Sequence, residues 1–306
     1  IGDSRIEMLS AYQVSDDRRL TEKAIRQLAD GLHSSGALRC RYPDWTPDTV
    51  TEPEKKGGFK MVLPGFELIY IQMVHDYARE RRNDALIRSV LPVLRVIRRR
   101  MAAFKGKDGI LRGLPGWNFL DWLPSWEHGT PPGCEDGTGC SLNWLYLRSL
   151  KDLADMEKHF GDAAQYEELT QEAAALEEAV VRTYWDEERG LYSENEEHSC
   201  YSEHAQVLAA LAAGRTESLQ RLNDGTLDQC GIYFSFYFLE ACRIYGLKDA
   251  FNRRIDRYRR LACKPGITTF PENWENWRSW CHAWSANFLY FHYAPETVNI
   301  TAPIPD

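Results

Sequence analysis

The sequence predicts an all-α domain whose antiparallel helical hairpins close into a ring, an (α/α)6 barrel. Three observations carry this. Apolar residues recur at steps of three and four along nearly the whole chain, the signature of helices with one buried face. The helical patterns break briefly at Gly and restart at Asp or Asn, so each break joins antiparallel neighbours. Longer connections, rich in Trp, Gly and Pro, alternate with these short turns. In a ring of hairpins the short turns share one face and the long loops the other, which makes the long-loop face the natural site face. About eleven helices are expected, near the twelve of a six-hairpin toroid. An open helical repeat or an irregular bundle is the rival architecture, but solenoid repeats keep a fixed period and these breaks do not.

The elements follow in order. Gly2-Asp3 precedes the first helix, where Asp3 reads most simply as an N-cap. Ser15-Asp16-Asp17 marks the first short break, and residues 37–63 form the first long connection. Leu86, Val90, Leu94, Ile97, Met101 and Phe104 define a helix restarted at Asn83-Asp84. Pro92 inside it predicts a kink or a later start. Arg98-Arg99-Arg100 suits a solvated face or a helix C-terminus, where cations meet the dipole. Residues 106–137 form the second long loop. Leu142, Leu145, Leu150, Leu153 and Met156 line the next helix. Gly161-Asp162 separates it from the face of Tyr166, Leu169, Ala173, Leu176, Val180 and Tyr184. After residues 185–203, Tyr201-Ser202-Glu203-His204 opens a helix, with Glu203 and His204 as helix-start residues. Breaks follow at Gly214-Thr216 and Gly246-Asp249, and residues 263–281 form the last long loop.

The 306 residues contain no Pro/Gly/Ser linker, so one domain spanning 1–306 is expected. A net charge of −8 argues against nucleic acid or an anionic membrane as partner. No run of about twenty apolar residues is present. The chain opens on Ile1 rather than Met and reads as processed or excised. The compartment, whether periplasmic, extracellular or cytoplasmic, is left open. None of the eight cysteines forms a C-x-x-C pair, so neither a zinc site nor another cofactor is expected. Most read as buried thiols; Cys134 and Cys140 flank a Gly-rich loop where a bridge would form under oxidising conditions. Phosphate-loop, dinucleotide, nucleophile-elbow and zincin motifs do not occur.

What remains is carboxylates set among aromatic rings, the composition that suits a sugar. Ten Trp are present, and Trp45, Trp117, Trp122 and Trp126 fall in loop-like stretches. Glu272 sits in Thr268-Thr269-Phe270-Pro271-Glu272-Asn273-Trp274, with Trp277, Trp280 and Trp284 following. Pro271 keeps helix away from this region, so a loop presents the carboxylate. Asp121 lies in Trp117-Asn118-Phe119-Leu120-Asp121-Trp122, before Trp126-Glu127-His128. An Asp bonded to its own backbone is the plain alternative there. His282, between Trp280 and Trp284, suits a hydroxyl ligand. Two carboxylates across a sugar make a glycosidase, and an apolar aromatic ring raises the pKa of the acid member.

Taken in order, Gly2-Asp3, Phe119-Leu120-Asp121-Trp122, Thr268-Thr269-x-x-Glu272-x-Trp274 and Ser279-x-x-His282-x-Trp284-Ser285 resemble the catalytic domain of bacterial α-L-rhamnosidases, inverting glycosidases with an (α/α)6 barrel. The likeness runs over nearly the whole chain. It implies Glu272 as the general base and Asp3 as a catalytic carboxylate holding sugar hydroxyls. It makes Trp122 and Trp274 the walls and gives His282 a sugar hydroxyl, with Asp121, Trp117, Trp284 and Phe59 completing the substrate contacts. Two departures stand out. The family motif Arg-x-Glu-Arg-x-x-Trp-x-Gly-Asp carries the general acid seven residues before its Asp. That position lies ahead of Ile1, along with the first helix of the barrel. The expectation is therefore a piece of a longer multidomain chain, with Asp121 and Glu127 as the only local substitutes for the acid. Between Lys56 and Leu63, where relatives place a Trp and an Asp, Phe59 stands in for the ring and no acid is present. An α-L-fucoside or glucoside hydrolase of the same barrel, and a carbohydrate-binding domain without turnover, remain as alternatives.

Overall fold

The computed structural model describes residues 1–43, 62–223, 225–275, 278–294 and 298–306. Trp45, Phe59 and Trp277 lie outside the described residues. Ten α-helices are present among them: α1 (Gly2–Tyr12), α2 (Arg19–Asp30), α3 (Pro64–Glu80), α4 (Asp84–Ala102), α5 (Cys140–Phe160), α6 (Ala163–Tyr184), α7 (Glu203–Ala213), α8 (Ser235–Ile244), α9 (Lys248–Ala262) and α10 (Phe288–Tyr293). A two-residue hairpin, β1 (Trp185–Asp186) and β2 (Leu191–Tyr192), was not anticipated. It pairs antiparallel, with Trp185 opposite Tyr192.

Local sequence sets the hairpin turns. Asn83 accepts from Leu86 N at 3.2 Å, and Asp162 accepts from Ala164 N at 2.7 Å. Each satisfies a donor that the first helical turn leaves orphaned. Pro64 opens α3 at the one helical position that needs no N–H. Asp249 falls inside the first turn of α9 instead of capping it. Pro92 neither ends nor delays α4, which runs unbroken from Asp84. The ring sits on the exposed side, where solvent can serve the carbonyl it leaves without a donor.

Burial separates an inner from an outer layer. α3 is buried continuously from Pro64 to Ala78, and α7 from Glu203 to Ala212. Outer helices bury one stripe: Thr21, Ile25 and Leu28 in α2, and Ala250, Arg254, Tyr258 and Leu261 in α9. The inner helices follow one another around the ring as α1, α3, α5, α7 and α8. Phe236 of α8 meets Tyr290 of α10 at 5.3 Å between ring centres, and α10 packs on α1, closing the circle.

Buried charge ties the layers together. Arg5 of α1 is 1% exposed; it donates to Asp76 of α3 at 2.8 Å and to Tyr237 of α8 at 3.2 Å. Such a pair holds only with both partners present; removing one costs about 3–5 kcal/mol. The arginine run of α4 is not a solvated face. Arg98 pairs with Glu172 and Arg100 with Glu67, and only Arg99 is exposed. Burial lifts Glu67 to about 7 against the pull of Arg100 and the Leu38 amide. Cys134 and Cys140 are both buried and unbridged. Among the described residues, no helix is long and apolar enough to cross a membrane.

Candidate active site

The loop between α9 and α10 is tethered through its backbone. Glu272 N donates to Ser279 O at 2.9 Å, and His282 N donates to Phe270 O at 3.0 Å. Ser285 Oγ donates to Pro271 O at 2.6 Å, and Trp284 Nε1 to Glu272 O at 2.9 Å. These bonds consume the main-chain groups around Glu272 and leave its carboxylate unspent. The side chain is 10% exposed, with Arg278 Nη1 at 3.7 Å from Oε1. The Arg278 guanidinium in turn lies 4.3 Å over the ring of Trp122.

Asp3 reaches the same place from the other end of the chain. It lies within the first turn of α1 rather than capping it. Gly2 beside it packs on Phe66 of α3, whose ring would have to shift for a Cβ, since one there would come 2.6 Å from its Cζ. Asp3 Oδ1 sits 2.9 Å from His282 Nε2, a close ion-pair contact without the alignment of a good hydrogen bond. Burial alone would raise the Asp3 carboxyl, but His282 holds it below its ordinary value. Burial alone would lower His282; Asp3, with Glu272 adding, pushes it above the usual imidazole value. Each partner thus favours the charged form of the other. The His282 ring packs on Trp284 at 4.2 Å.

Aromatic rings brace this cluster. Phe119 stacks on Trp284 with an 8° interplanar angle and touches both Trp117 and Trp122. Trp117 donates to His128 O at 2.9 Å, and Trp274 to Cys230 O at 3.2 Å. A cleft of about 620 Å³ opens between Trp122, Gln229, Arg257, Asn273, Trp274 and Arg278. Asp3, Glu272 and His282 are not on its walls; Arg278, against both Glu272 and Trp122, connects them to it. Trp122 Nε1 and Asn273 Oδ1 are buried without a protein partner among the described residues. Polyhydroxylated ligands supply both donors and acceptors for such atoms.

Asp121 differs from its sequence expectation. It is 1% exposed; Oδ2 accepts from His204 Nε2 at 2.8 Å and Gly231 N at 2.7 Å, and Oδ1 accepts from Trp122 N at 2.9 Å. A Cβ on Gly231 would fall 2.6 Å from Oδ1, so glycine is what allows this approach. With its oxygens engaged inside the protein, Asp121 has no open face for a sugar or a leaving group. Glu127 is placed differently: its side chain is 84% exposed, out among solvent beside His128. Trp126 is core, donating to Asp228 and packed on His204. Trp280 is exposed. Glu203 does open α7, but it also accepts from Cys230 N and pairs with buried Arg254 at 2.5 Å. Arg278, Asn273 and Arg257 were not anticipated. Arg278 had a local signal, a cation inside the tryptophan run; Arg257 had none, since its partner Trp274 lies across a turn. Among the described residues no His/Cys/Asp/Glu group could hold a metal ion.

Known proteins share this architecture. The GH78 family rhamnosidase of Bacillus sp. GL1 superposes with a TM-score of 0.79 at 23% identity, over 96% of this chain and 31% of its own. The rhamnosidase from Klebsiella oxytoca, solved with rhamnose bound, gives 0.75 at 17%, over 95% and 57%. The GH63 mannosylglycerate hydrolase from Thermus thermophilus gives 0.63 at 15%, over 95% and 92%. The chain thus spans less than two thirds of either rhamnosidase, and the likenesses establish the fold as a six-hairpin barrel. No curated protein matches the sequence. Residues 1–227 match the model of the bacterial alpha-L-rhamnosidase 6 hairpin glycosidase domain, and with most of its length so covered the chain belongs to that family.

Proposed function

We propose that this domain hydrolyses terminal α-L-rhamnosides by a single displacement, with Glu272 as the general base. The observation that carries the reading is the convergence of Glu272, His282 and Asp3, from opposite ends of the chain, beside a tryptophan-walled cleft. In this reading Glu272, fixed through its backbone, takes a proton from the attacking water. The Asp3–His282 pair orients sugar hydroxyls, one partner accepting and the other donating. Trp122 and Trp274 form walls against the C–H face of the ring. Single displacement also needs a carboxylic acid at the leaving oxygen; in the family motif that role belongs to a glutamate seven residues before the aspartate that Asp3 matches. A domain within a longer multidomain chain fits the partial coverage of both rhamnosidases.

A second reading, a hydrolase for another sugar, is favoured by the likeness to the mannosylglycerate hydrolase, which is matched over 92% of its length. A panel of aryl glycosides, assayed with the protein that carries this chain, separates the two. Turnover of the α-L-rhamnoside above the fucoside, glucoside and mannoside supports the first. NMR of the first-formed product must show the inverted anomer. Retention of configuration sinks the single displacement.

A further inference from the structure

A second concavity, of about 370 Å³, adjoins the tryptophan cleft. Its walls carry Arg253, Arg254, Arg257 and Arg260 of α9, on a chain whose net charge is −8. The two carboxylates among its described lining residues are already engaged. Glu203 is held by Arg254 at 2.5 Å, and Asp256 by Arg259 at 2.7 Å. Among the described residues, Arg253 bonds only the neutral Asn223, and Arg260 has no ion-pair partner. Arg257 has Glu275 no nearer than 3.9 Å, and that side chain is 73% exposed. The groove therefore holds positive charge that its described neighbours do not neutralise. Burial and the neighbouring Arg254 push the Arg257 guanidinium below its ordinary pKa, as crowding by like charge requires.

Two residues make this groove continuous with the cleft. Gln229 and Arg257 line both, joined by a hydrogen bond of 3.3 Å. Arg257 also lies 4.4 Å over the ring of Trp274, the cleft wall two residues beyond Glu272. A glycan that runs from the cleft along this junction would bring the residue after its terminal sugar against Arg257. Arginine forks match carboxylates in two-point hydrogen bonds, which lysine or a neutral amide cannot reproduce.

We infer that the arginine groove is the subsite for a carboxylate-bearing sugar, so that the preferred substrate carries a uronic acid next to the sugar that is released. This rests on the rhamnosidase reading above. The test uses the protein that carries this chain and three probes: 4-nitrophenyl α-L-rhamnoside, a rhamnosyl-glucuronic acid disaccharide, and its carboxyl-reduced rhamnosyl-glucose counterpart. The acidic disaccharide is expected to exceed the neutral one in kcat/KM by roughly tenfold, the scale of one good charged contact. R257Q, and separately the exposed pair R253Q/R260Q, should bring that ratio close to one in protein that still melts cooperatively. A ratio near one in the unaltered protein, or a preference that survives both variants, overturns the subsite. If no rhamnoside is cleaved, the rhamnosidase reading is what fails. Calorimetry with free glucuronic acid against glucose then decides the groove by itself: preference for the acid, lost in R253Q/R260Q, supports it, and equal binding overturns it.

Discussion

Two acidic residues in this protein look alike in sequence and end in opposite situations. Asp121 and Glu272 each sit among tryptophans in a long connection. Around Glu272 the backbone makes the bonds, and the carboxylate is left with a single ion-pair contact among the described residues, to Arg278 at 3.7 Å. Around Asp121 the carboxylate itself makes the bonds, to one side chain and two backbone amides. The difference teaches that an aromatic setting does not by itself mark a working acid. What decides is whether nearby donors have already claimed its oxygens, since a saturated buried carboxylate is a structural joint.

Substitutions test that contrast. E272Q is expected to lower kcat by about 10²–10⁴-fold, the scale of a lost general base, while thermal melting stays put. D121A is expected to cost about 3–5 kcal/mol in urea unfolding, because His204 and the Gly231 amide lose a buried charged partner. Matching losses of stability and turnover in both variants would erase the distinction. W122A removes a wall rather than a reacting group, so KM should rise several-fold, in line with about 0.5–1.5 kcal/mol for an aromatic contact; a fall in kcat alone would point elsewhere.

The smallest effect concerns pH. Asp3 is depressed, so its share of the pair is present above about 3.8 and fades as pH falls through its lower folded value. His282 is raised, so its share is complete below about 6.5 and disappears as pH climbs through its higher folded value. The kcat/KM profile should fall as pH climbs through that raised His282 value. H282Q should remove that alkaline limb, and a limb that persists in H282Q assigns it to another group.

Local features were readable in the sequence and distant ones were not. Asn83 and Asp162 announce helix starts because a cap acts within three residues. Pro271 announces the Glu272 loop for the same reason of range. The Trp122 amide on Asp121 Oδ1 is the local bond that a loop Asp suggests, but the donors that claim Oδ2 come from 83 and 110 residues away, and no pattern near Asp121 encodes them. Arg5 is similar: a charge two residues beyond Asp3 gives no hint that three inner helices meet on it. The β1–β2 hairpin, two residues per strand, is shorter than the window in which alternation can be seen.

The contact between Asp3 and His282 also has a kinetic meaning. It joins α1 to the loop between α9 and α10, residues 3 and 282, a long sequence separation for the barrel to close. Contacts of that kind form late, after the local hairpins. A nascent chain would hold most of its inner helices before it could hold a sugar. Ligand binding in this protein would then report a late event of folding, the docking of the α9–α10 loop on α1.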